Sequence, residues 1–193
     1  MNTKIIFAIL SSVVAIFCFI PYILDIFKGT TKPHSYSWFI WTLLQTIGAI
    51  SMFSIGAGWG ITSISIGAVL CGFVFILSFK YGTHNIKNFD VICLLGALIA
   101  MIFYFFLHNP IVSVLIITLV DFVGFLPTMR KAYEEPQTET ISAYALSSVS
   151  SILALFAFSI FTFSNSVYLI SLIITNATCA IIIFTRRKIL KQN

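Results

Sequence analysis

Charged side chains are scarce in this chain of 193 residues, since Asp, Glu, Lys and Arg together make up only 9% of it. An ordinary soluble domain has about 25% charged residues. In this chain hydrophobic residues make up 59% instead. A soluble fold could not cover so much apolar surface with so few charges. The composition therefore predicts a membrane protein.

Cysteine is also rare, and its four copies indicate neither a disulfide framework nor a metal site. They all fall inside apolar runs without the spacing of metal ligands, and we expect small packing residues at Cys18, Cys71, Cys93 and Cys179. The sequence has no HExxH motif, no Ser–His set and no paired carboxylates in its apolar segments. We therefore expect no enzyme activity, no metal and no cofactor.

Seven apolar segments have roughly the 20 residues that cross a bilayer as a helix. They are residues 5–27, 38–57, 61–80, 89–107, 111–131, 141–163 and 167–184. The breaks between them carry turn chemistry, as in "KGTTKPHS" and "KYGTHNIKN". Little sequence is left over, so we predict an all-α protein with one transmembrane domain over residues 1–193.

The basic residues predict the orientation of these spans. With the N-terminus on side one, side two receives ten of the eleven Lys and Arg residues, and side one receives only Lys4. Basic residues accumulate on the cytoplasmic side, so we expect the N-terminus outside and the C-terminus in the cytoplasm, in a plasma (inner) membrane. The net charge of +5 then reflects topology and contact with anionic lipid, and we expect no nucleic-acid partner.

The two halves of the chain match each other after a shift of 106 positions. Ile5 then falls on Ile111, Pro21 on Pro127 and Trp38 on Tyr144. Residues 5–81 form one three-helix repeat, residues 111–186 form another, and residues 89–107 form a linker helix. The three spans of the first repeat and the single linker span precede the second repeat, which makes four crossings. The two repeats therefore enter the membrane in the same orientation, which is typical of some transporters.

The segments "IPYILDIFKGTTKPHSYSWFIW" and "DFVGFLPTMRKAYEEPQTETISAYALSS" resemble the two repeat openings of the SWEET and PQ-loop superfamily. This superfamily has a 3+1+3 helix layout, and its members move sugars, amino acids and other small solutes or act as sorting receptors. The chain would be an atypical member, because Tyr22 and Thr128 replace the motif's glutamine. The resemblance implies a hinge or cytoplasmic gate at Pro21 and Pro127. A static kink at each proline is the alternative.

Candidate substrate-binding residues follow partly from the same resemblance. Asn176 lies near the centre of the last segment and is similar in position to the sugar-contacting asparagine of the seventh SWEET helix. The aromatic residue expected in the sixth helix falls at Phe158. Gln45 and Ser151 lie at similar depth in their segments. For Asn176 an interhelical hydrogen bond is the alternative, and for the serine a packing role.

Asp121 is an acid deep within an apolar segment. It lies about eleven residues into the fifth segment, which is roughly 16 Å deep at 1.5 Å per residue. An ionised aspartate there costs about 2.5 to 3.5 kcal/mol, and no intramembrane lysine or arginine offsets this cost. The site is therefore hydrated, or the carboxyl is protonated. Both suit a proton-coupling group, as some PQ-loop exporters are thought to have; a neutral carboxyl donating a structural hydrogen bond is the alternative.

The remaining polar and aromatic residues are assigned to ordinary roles. We expect Trp38 and Trp41 to anchor a helix at the membrane interface. His34 is expected to be a solvated loop residue. We expect Glu139 and its neighbouring acids to neutralise the charges of Lys131 and the preceding arginine on a solvent-exposed face.

The sequence therefore predicts a transporter of a small polar solute that works by alternating access, with proton coupling as a hypothesis. A receptor or a sorting and signalling protein of the same architecture is the alternative. The expected partners are a small-molecule substrate, protons and membrane lipids. The solute, the direction of net transport and the oligomeric state, including a homo-oligomer, stay open.

The charge distribution yields a test of topology. A reporter fused after Asn193 should be cytoplasmic, and a tag placed before Met1 should be external, because seven spans put the termini on opposite sides. Protease protection in sealed cells measures both. Finding both termini on one side would contradict the seven-span prediction and the repeat that depends on it.

Overall fold

A computed structural model describes residues 3–54, 61–106, 109–157 and 163–192, and in these ranges the chain is helical with no strand. The α-helices are α1 (Thr3–Phe27), α2 (Ser35–Ser54), α3 (Ile61–Tyr81), α4 (Asn88–Phe106), α5 (Pro110–Glu134), α6 (Ile141–Ala157) and α7 (Phe163–Gln192). A short 3-10 helix, Pro136–Thr138, lies between α5 and α6. The predicted all-α class is confirmed.

Four helical stretches in the described residues are long and apolar enough to cross a membrane. They are Thr3–Phe27, Asn88–Phe106, Ile111–Glu134 and Ser166–Gln192. Two further apolar helices, Ser65–Tyr81 and Ile141–Ala157, are shorter within the described ranges. These helices indicate an integral membrane protein, and the seven-span arrangement stays a prediction.

The outer surface of the bundle is apolar along whole helices. On α4, the side chains of Ile92, Leu95, Ile99, Phe103 and Phe106 are all more than half exposed. Exposed apolar patches of this extent are unusual on soluble monomers. Hydrocarbon, which needs no hydrogen bonds from the surface it touches, fits this face.

Helices that follow each other along the chain run in opposite directions, and so do α1 and α6. Ser11 contacts Ser150 while Asp25 contacts Thr140, so α1 and α6 are antiparallel. Thr83, after α3, donates to the carbonyl of Pro33, before α2. One end of the bundle therefore gathers the last turns of α1, α3, α5 and α7 and the first turns of α2, α4 and α6; we call it the charged end.

Six helices form a closed ring, and α4 packs outside it. Around the ring the order is α1, α3, α2, α5, α7 and α6, with the last helix packed on the first, and α4 lies against α5 and α2. Gly124 permits the close approach of α2 to α5, because a Cβ there would lie 3.0 Å from Ile40 Cγ2. Ile40 is fully buried together with Ala97, Met101 and Val120, which fix α4 to the ring.

A buried ion pair joins the two halves of the chain at the charged end. Lys131 Nζ lies 2.8 Å from Glu139 Oε1, and both side chains are fully buried. The ammonium also donates to the carbonyls of Lys32 and Thr138, and Tyr144 donates to Glu139 Oε2 at 2.8 Å. The expectation that Glu139 and Lys131 lie on a wet face is therefore wrong, because the loops fold over them.

A second cluster of charges holds the start of α4 against the end of α5. The Arg130 guanidinium donates to both carboxylate oxygens of Asp90, which is fully buried. His34 is also fully buried, with Nε2 3.3 Å from Asp90 Oδ2 and no hydrogen bond from either ring nitrogen among the described residues. The expectation of a solvated histidine is thus wrong. Desolvation lowers the pKa of His34 to about 4 despite the neighbouring carboxylate, so the ring is neutral at pH 7.

The burial of the Lys131–Glu139 pair predicts a large difference between two similar substitutions. Glu139→Gln should destabilise the protein by about 3–5 kcal/mol, because it leaves the ammonium buried without its counter-charge. Glu134→Gln is the matched control: this carboxylate also pairs with a lysine, Lys87, but its side chain is 31% exposed, and the expected loss is at most about 1 kcal/mol. Unfolding of the purified protein in detergent measures both, and equal losses would contradict the assignment.

Candidate functional site

A cavity of about 420 Å³ lies inside the ring of helices. All six ring helices contribute to its wall, and α4 contributes none of the lining residues. The volume lies within the roughly 300–1,000 Å³ range of small-molecule sites. Most of the lining is apolar or aromatic, with a few polar side chains, which is the usual make-up of a ligand site.

Four predicted site residues share this wall: Gln45 of α2, Asp121 of α5, Ser151 of α6 and Asn176 of α7. Phe158 lies outside the described residues. These four side chains come from four different helices, so the fold brings together residues that are far apart in the sequence. Their roles in binding stay predictions.

Asp121 is the one acid on the described part of the cavity wall, and part of its carboxyl group has no partner. Its side chain is 3% exposed, and Oδ2 has no hydrogen-bond partner among the described residues. The nearby Thr118 hydroxyl donates to the carbonyl of Val114 in its own helix. Among the described residues no Lys or Arg lines the cavity. Among the described residues, Oδ2 therefore lacks a hydrogen-bond donor and the carboxyl group lacks a counter-charge on the cavity wall.

Asn176 and Gln45 present carboxamides to the cavity in different ways. Asn176 Nδ2 donates to the carbonyl of Leu172 in its own helix at 2.9 Å, and no hydrogen bond from this amide to another helix is seen among the described residues. Gln45 lies over Gly67 of α3, where an added Cβ would be 3.3 Å from its carboxamide carbon. A side chain at position 67 would therefore require Gln45 to shift by a few tenths of an ångström.

The serines of α6 mostly hold helices together. Ser150 Oγ donates to the carbonyl of Ser11 at 2.9 Å, and Ser11 Oγ donates to the carbonyl of Ser150 at 3.0 Å. This reciprocal pair ties α6 to α1. Ser151 Oγ donates to Ser147 O in its own helix at 3.0 Å. The packing role weighed for Ser151 stays open, since its hydroxyl bonds within its own helix and it also lines the cavity.

Aromatic side chains form the part of the cavity wall nearest the charged end. Trp38 is 7% exposed and donates through Nε1 to the Tyr22 hydroxyl at 3.1 Å. Trp41 packs on Phe125 with ring centroids 4.6 Å apart. Both tryptophans line the cavity, so the expected role of interface anchors is wrong. Their rings fill the space between helices because neighbouring rings are there to pack against.

Two tyrosines in this aromatic group were missed as site residues. Tyr22 and Tyr144 are both buried, and their rings meet edge to face at 6.3 Å. The sequence did hold a signal, since Tyr22 follows Pro21 and Tyr144 is the repeat-mate of Trp38. Tyr144 also reaches Glu139, so it connects the cavity wall to the buried ion pair.

The cavity is closed towards the charged end by fully buried side chains. Ile26 and Ile183 have no exposed surface, and Val74 and Ala132 complete this layer. The Lys131–Glu139 pair lies beyond this layer and joins the last turn of α5 to the loop before α6. Within the described residues, the order from the cavity outward is thus an aromatic layer, an aliphatic layer and a buried polar network.

The two prolines lie away from the cavity wall, next to residues of the aromatic layer. Pro21 lies inside α1 and Pro127 inside α5, and both helices continue past them. Each proline removes one backbone hydrogen bond from its helix. Pro21 precedes Tyr22 directly, so bending at this point would move an aromatic side chain that closes the cavity.

Comparison of the chain with protein-family models, with curated proteins and with solved structures finds no match. Among the described residues no group of three or more His, Cys, Asp or Glu side chains could hold a metal ion. The function is therefore argued from the cavity and its surroundings.

Proposed function

We propose that this protein is a seven-span membrane transporter that moves a small polar solute by alternating access. The observation that carries the proposal is the cavity of about 420 Å³ inside an apolar helical bundle, with an unpaired carboxylate on its wall. A buried carboxyl without a partner lowers stability. Its presence at the cavity is explained if its partner is a transported species.

The packing of the helices supports two equivalent repeats. Under the shift of 106 positions, α1, α2 and α3 correspond to α5, α6 and α7. The contact of α1 with α6 then corresponds to that of α5 with α2, and the pairs α2–α3 and α6–α7 correspond as well. A cavity between two such repeats is where transporters of this kind bind their solute. The resemblance to the SWEET and PQ-loop superfamily agrees with this arrangement.

The charged end is proposed to be a closed gate. Its contacts join the repeats: Lys131 reaches the carbonyl of Lys32, and the Thr140 hydroxyl donates to Asp25 Oδ2 at 2.9 Å. Alternating access requires these contacts to break when the gate opens. With the orientation expected from the basic residues, this gate faces the cytoplasm, and the described conformation is closed on that side.

Asp121 is proposed to couple transport to protons. A carboxyl is neutral when surrounded by apolar side chains and is ionised when water reaches it. Opening of the cavity on either side changes its hydration, so the carboxyl can take up a proton on one side of the membrane and release it on the other.

Transport is tested by flux into proteoliposomes. A thermal-shift screen of sugars, amino acids and vitamins on the purified protein first selects solutes that bind. A selected solute should then enter sealed vesicles containing the protein faster than it enters empty vesicles. Binding without flux would contradict transport and favour the receptor alternative.

The gate is tested at the two prolines. The double substitution Pro21→Ala and Pro127→Ala should leave membrane insertion intact but reduce turnover several-fold, because straightened helices would hold one access state. The measurement is uptake of a confirmed solute per molecule of inserted protein. Turnover at the wild-type rate would show that the prolines have only a packing role.

Proton coupling is tested by Asp121→Asn, which keeps the size of the side chain but cannot change its charge. Wild-type protein should accumulate solute when a pH gradient is imposed on the vesicles, and the variant should not respond to the gradient. If Asp121 is a neutral structural donor, asparagine replaces it and gradient-driven uptake survives. Equal stimulation of both proteins would therefore rule out coupling through this residue.

A further inference from the structure

The carboxyl of Asp121 and several aromatic rings line the same cavity, and together they define the chemistry of a ligand. Phe125 lies one helical turn after Asp121, which puts the two side chains on the same face of α5. Trp41 packs on Phe125, and Trp38 packs on Trp41 with ring centroids 5.0 Å apart and planes at 88°. All four side chains line the cavity.

This combination favours a positively charged ligand. Aromatic rings attract cations through the negative electrostatic potential of their faces, and perpendicular rings can meet a cation on two sides. The carboxylate supplies a full counter-charge. We therefore propose that the transported solute is a small organic cation, an amine or a quaternary ammonium compound, whose charged nitrogen is bound beside Asp121; this rests on the proposed transport function.

Other solute classes fit the wall less well. An anion would meet a carboxylate, and among the described lining residues it would find no Lys or Arg. A neutral sugar would leave the carboxylate without a counter-charge, because its hydroxyl groups carry none. An organic cation is the class that neutralises the acid and also uses the aromatic wall.

The same geometry explains how a proton can drive such a solute. One carboxyl cannot hold a proton and also pair with an ammonium group as a carboxylate. Binding of the cation therefore breaks the O–H bond of the protonated acid, and the proton leaves for water while both electrons of that bond stay on the carboxylate. The cavity then holds either a proton or a cation, which makes the two species exchange with each other.

Other titratable groups near Asp121 do not provide this exchange. The helices packed against α5 are α2, α4 and α7. In the cavity wall α2 contributes no titratable side chain, α4 contributes no residue at all, and α7 contributes Tyr168. Cys18 and Tyr22 of α1, Cys71 of α3 and Tyr144 of α6 complete the titratable lining among the described residues. None of these side chains carries a positive charge, so they offer Asp121 no alternative counter-ion.

The test compares cations with neutral molecules of the same shape. Choline and 3,3-dimethylbutan-1-ol differ by a charged nitrogen in place of a carbon, and benzylammonium and benzyl alcohol form a second pair. Binding to the purified full-length protein is measured by calorimetry and by thermal shift. Wild-type protein should bind at least one cation about tenfold more tightly than its neutral counterpart, a difference of about 1.4 kcal/mol.

Two substitutions assign this preference to the carboxylate. Asp121→Asn should make the cation and its neutral counterpart bind equally, whereas Asp121→Glu, which retains the charge, should keep the preference. Gel filtration and thermal melts establish that each variant is folded. If the asparagine variant does not fold, the proposal is still tested by the binding of the paired ligands to wild-type protein and to the glutamate variant.

Four binding results would overturn the proposal. They are equal binding of cation and neutral counterpart to wild type, absence of binding by both cations at millimolar concentration, an unchanged preference in folded Asp121→Asn, and a preference lost in folded Asp121→Glu. Flux measurements distinguish a failure of the proposed cation site from a failure of the proposed transport function. Cation binding without flux would refute transport but retain the cation site, and flux of a neutral solute that choline does not inhibit would retain transport and refute the cation site.

Discussion

Hydrocarbon offers no hydrogen-bond partners, and this constraint decides where each polar group of the protein lies. Within the helices, several hydroxyl groups donate to carbonyls of their own helix, as Thr42, Thr118 and Thr175 do, and others donate to a neighbouring helix, as Ser11 and Ser150 do. Most described ion pairs gather at one end of the bundle, where backbone carbonyls and polar side chains complete their hydrogen bonds. Asp121 is the acid among the buried side chains that depart from this pattern: its Oδ2, like Trp41 Nε1 and Thr128 Oγ1, has no partner among the described residues. The site proposal depends on that departure.

The charged end and the cavity are parts of one structure. Glu139 accepts from Tyr144 and pairs with Lys131, so a single carboxylate connects the aromatic wall with the loops of both halves. Movement of the loops would therefore be transmitted to the ring of Tyr144, which packs on Tyr22. The layers between the cavity and the loops share buried contacts. An opening of the charged end would therefore change the cavity wall and the loops together. This coupling suits a gate that is either closed or open.

The sequence predicted the helices, and four of its candidate site residues line one cavity, for a physical reason. Apolar runs about as long as a bilayer have few alternatives to a helix, and polar residues deep within such runs tend to face an interior. Gln45, Asp121, Ser151 and Asn176 do share one wall. The topology of the spans and the role of each residue remain predictions, since neither follows from the helices alone.

The errors arose where the sequence permits two environments. His34 and Glu139 lie between helices, and nothing in their neighbours reveals that the loops fold inward and bury them. Trp38 lies close to a helix end, where an amphipathic ring suits either the membrane surface or an interior. Its place was decided by Tyr22, which is 16 positions away in the sequence and accepts the indole hydrogen bond. Tertiary contacts of this kind are not visible in local composition.

The number of acids on the cavity wall limits the work that the proposed exchange can do. Asp121 is the one carboxylate on the described part of that wall, and one carboxyl carries one proton. A strict exchange of one proton for one monovalent cation moves no net charge, so the membrane voltage would neither drive nor oppose it. The concentration ratio would then follow the pH difference alone, reaching at most about tenfold for each pH unit. Such a protein would serve a cell that needs modest accumulation or steady removal of a cation.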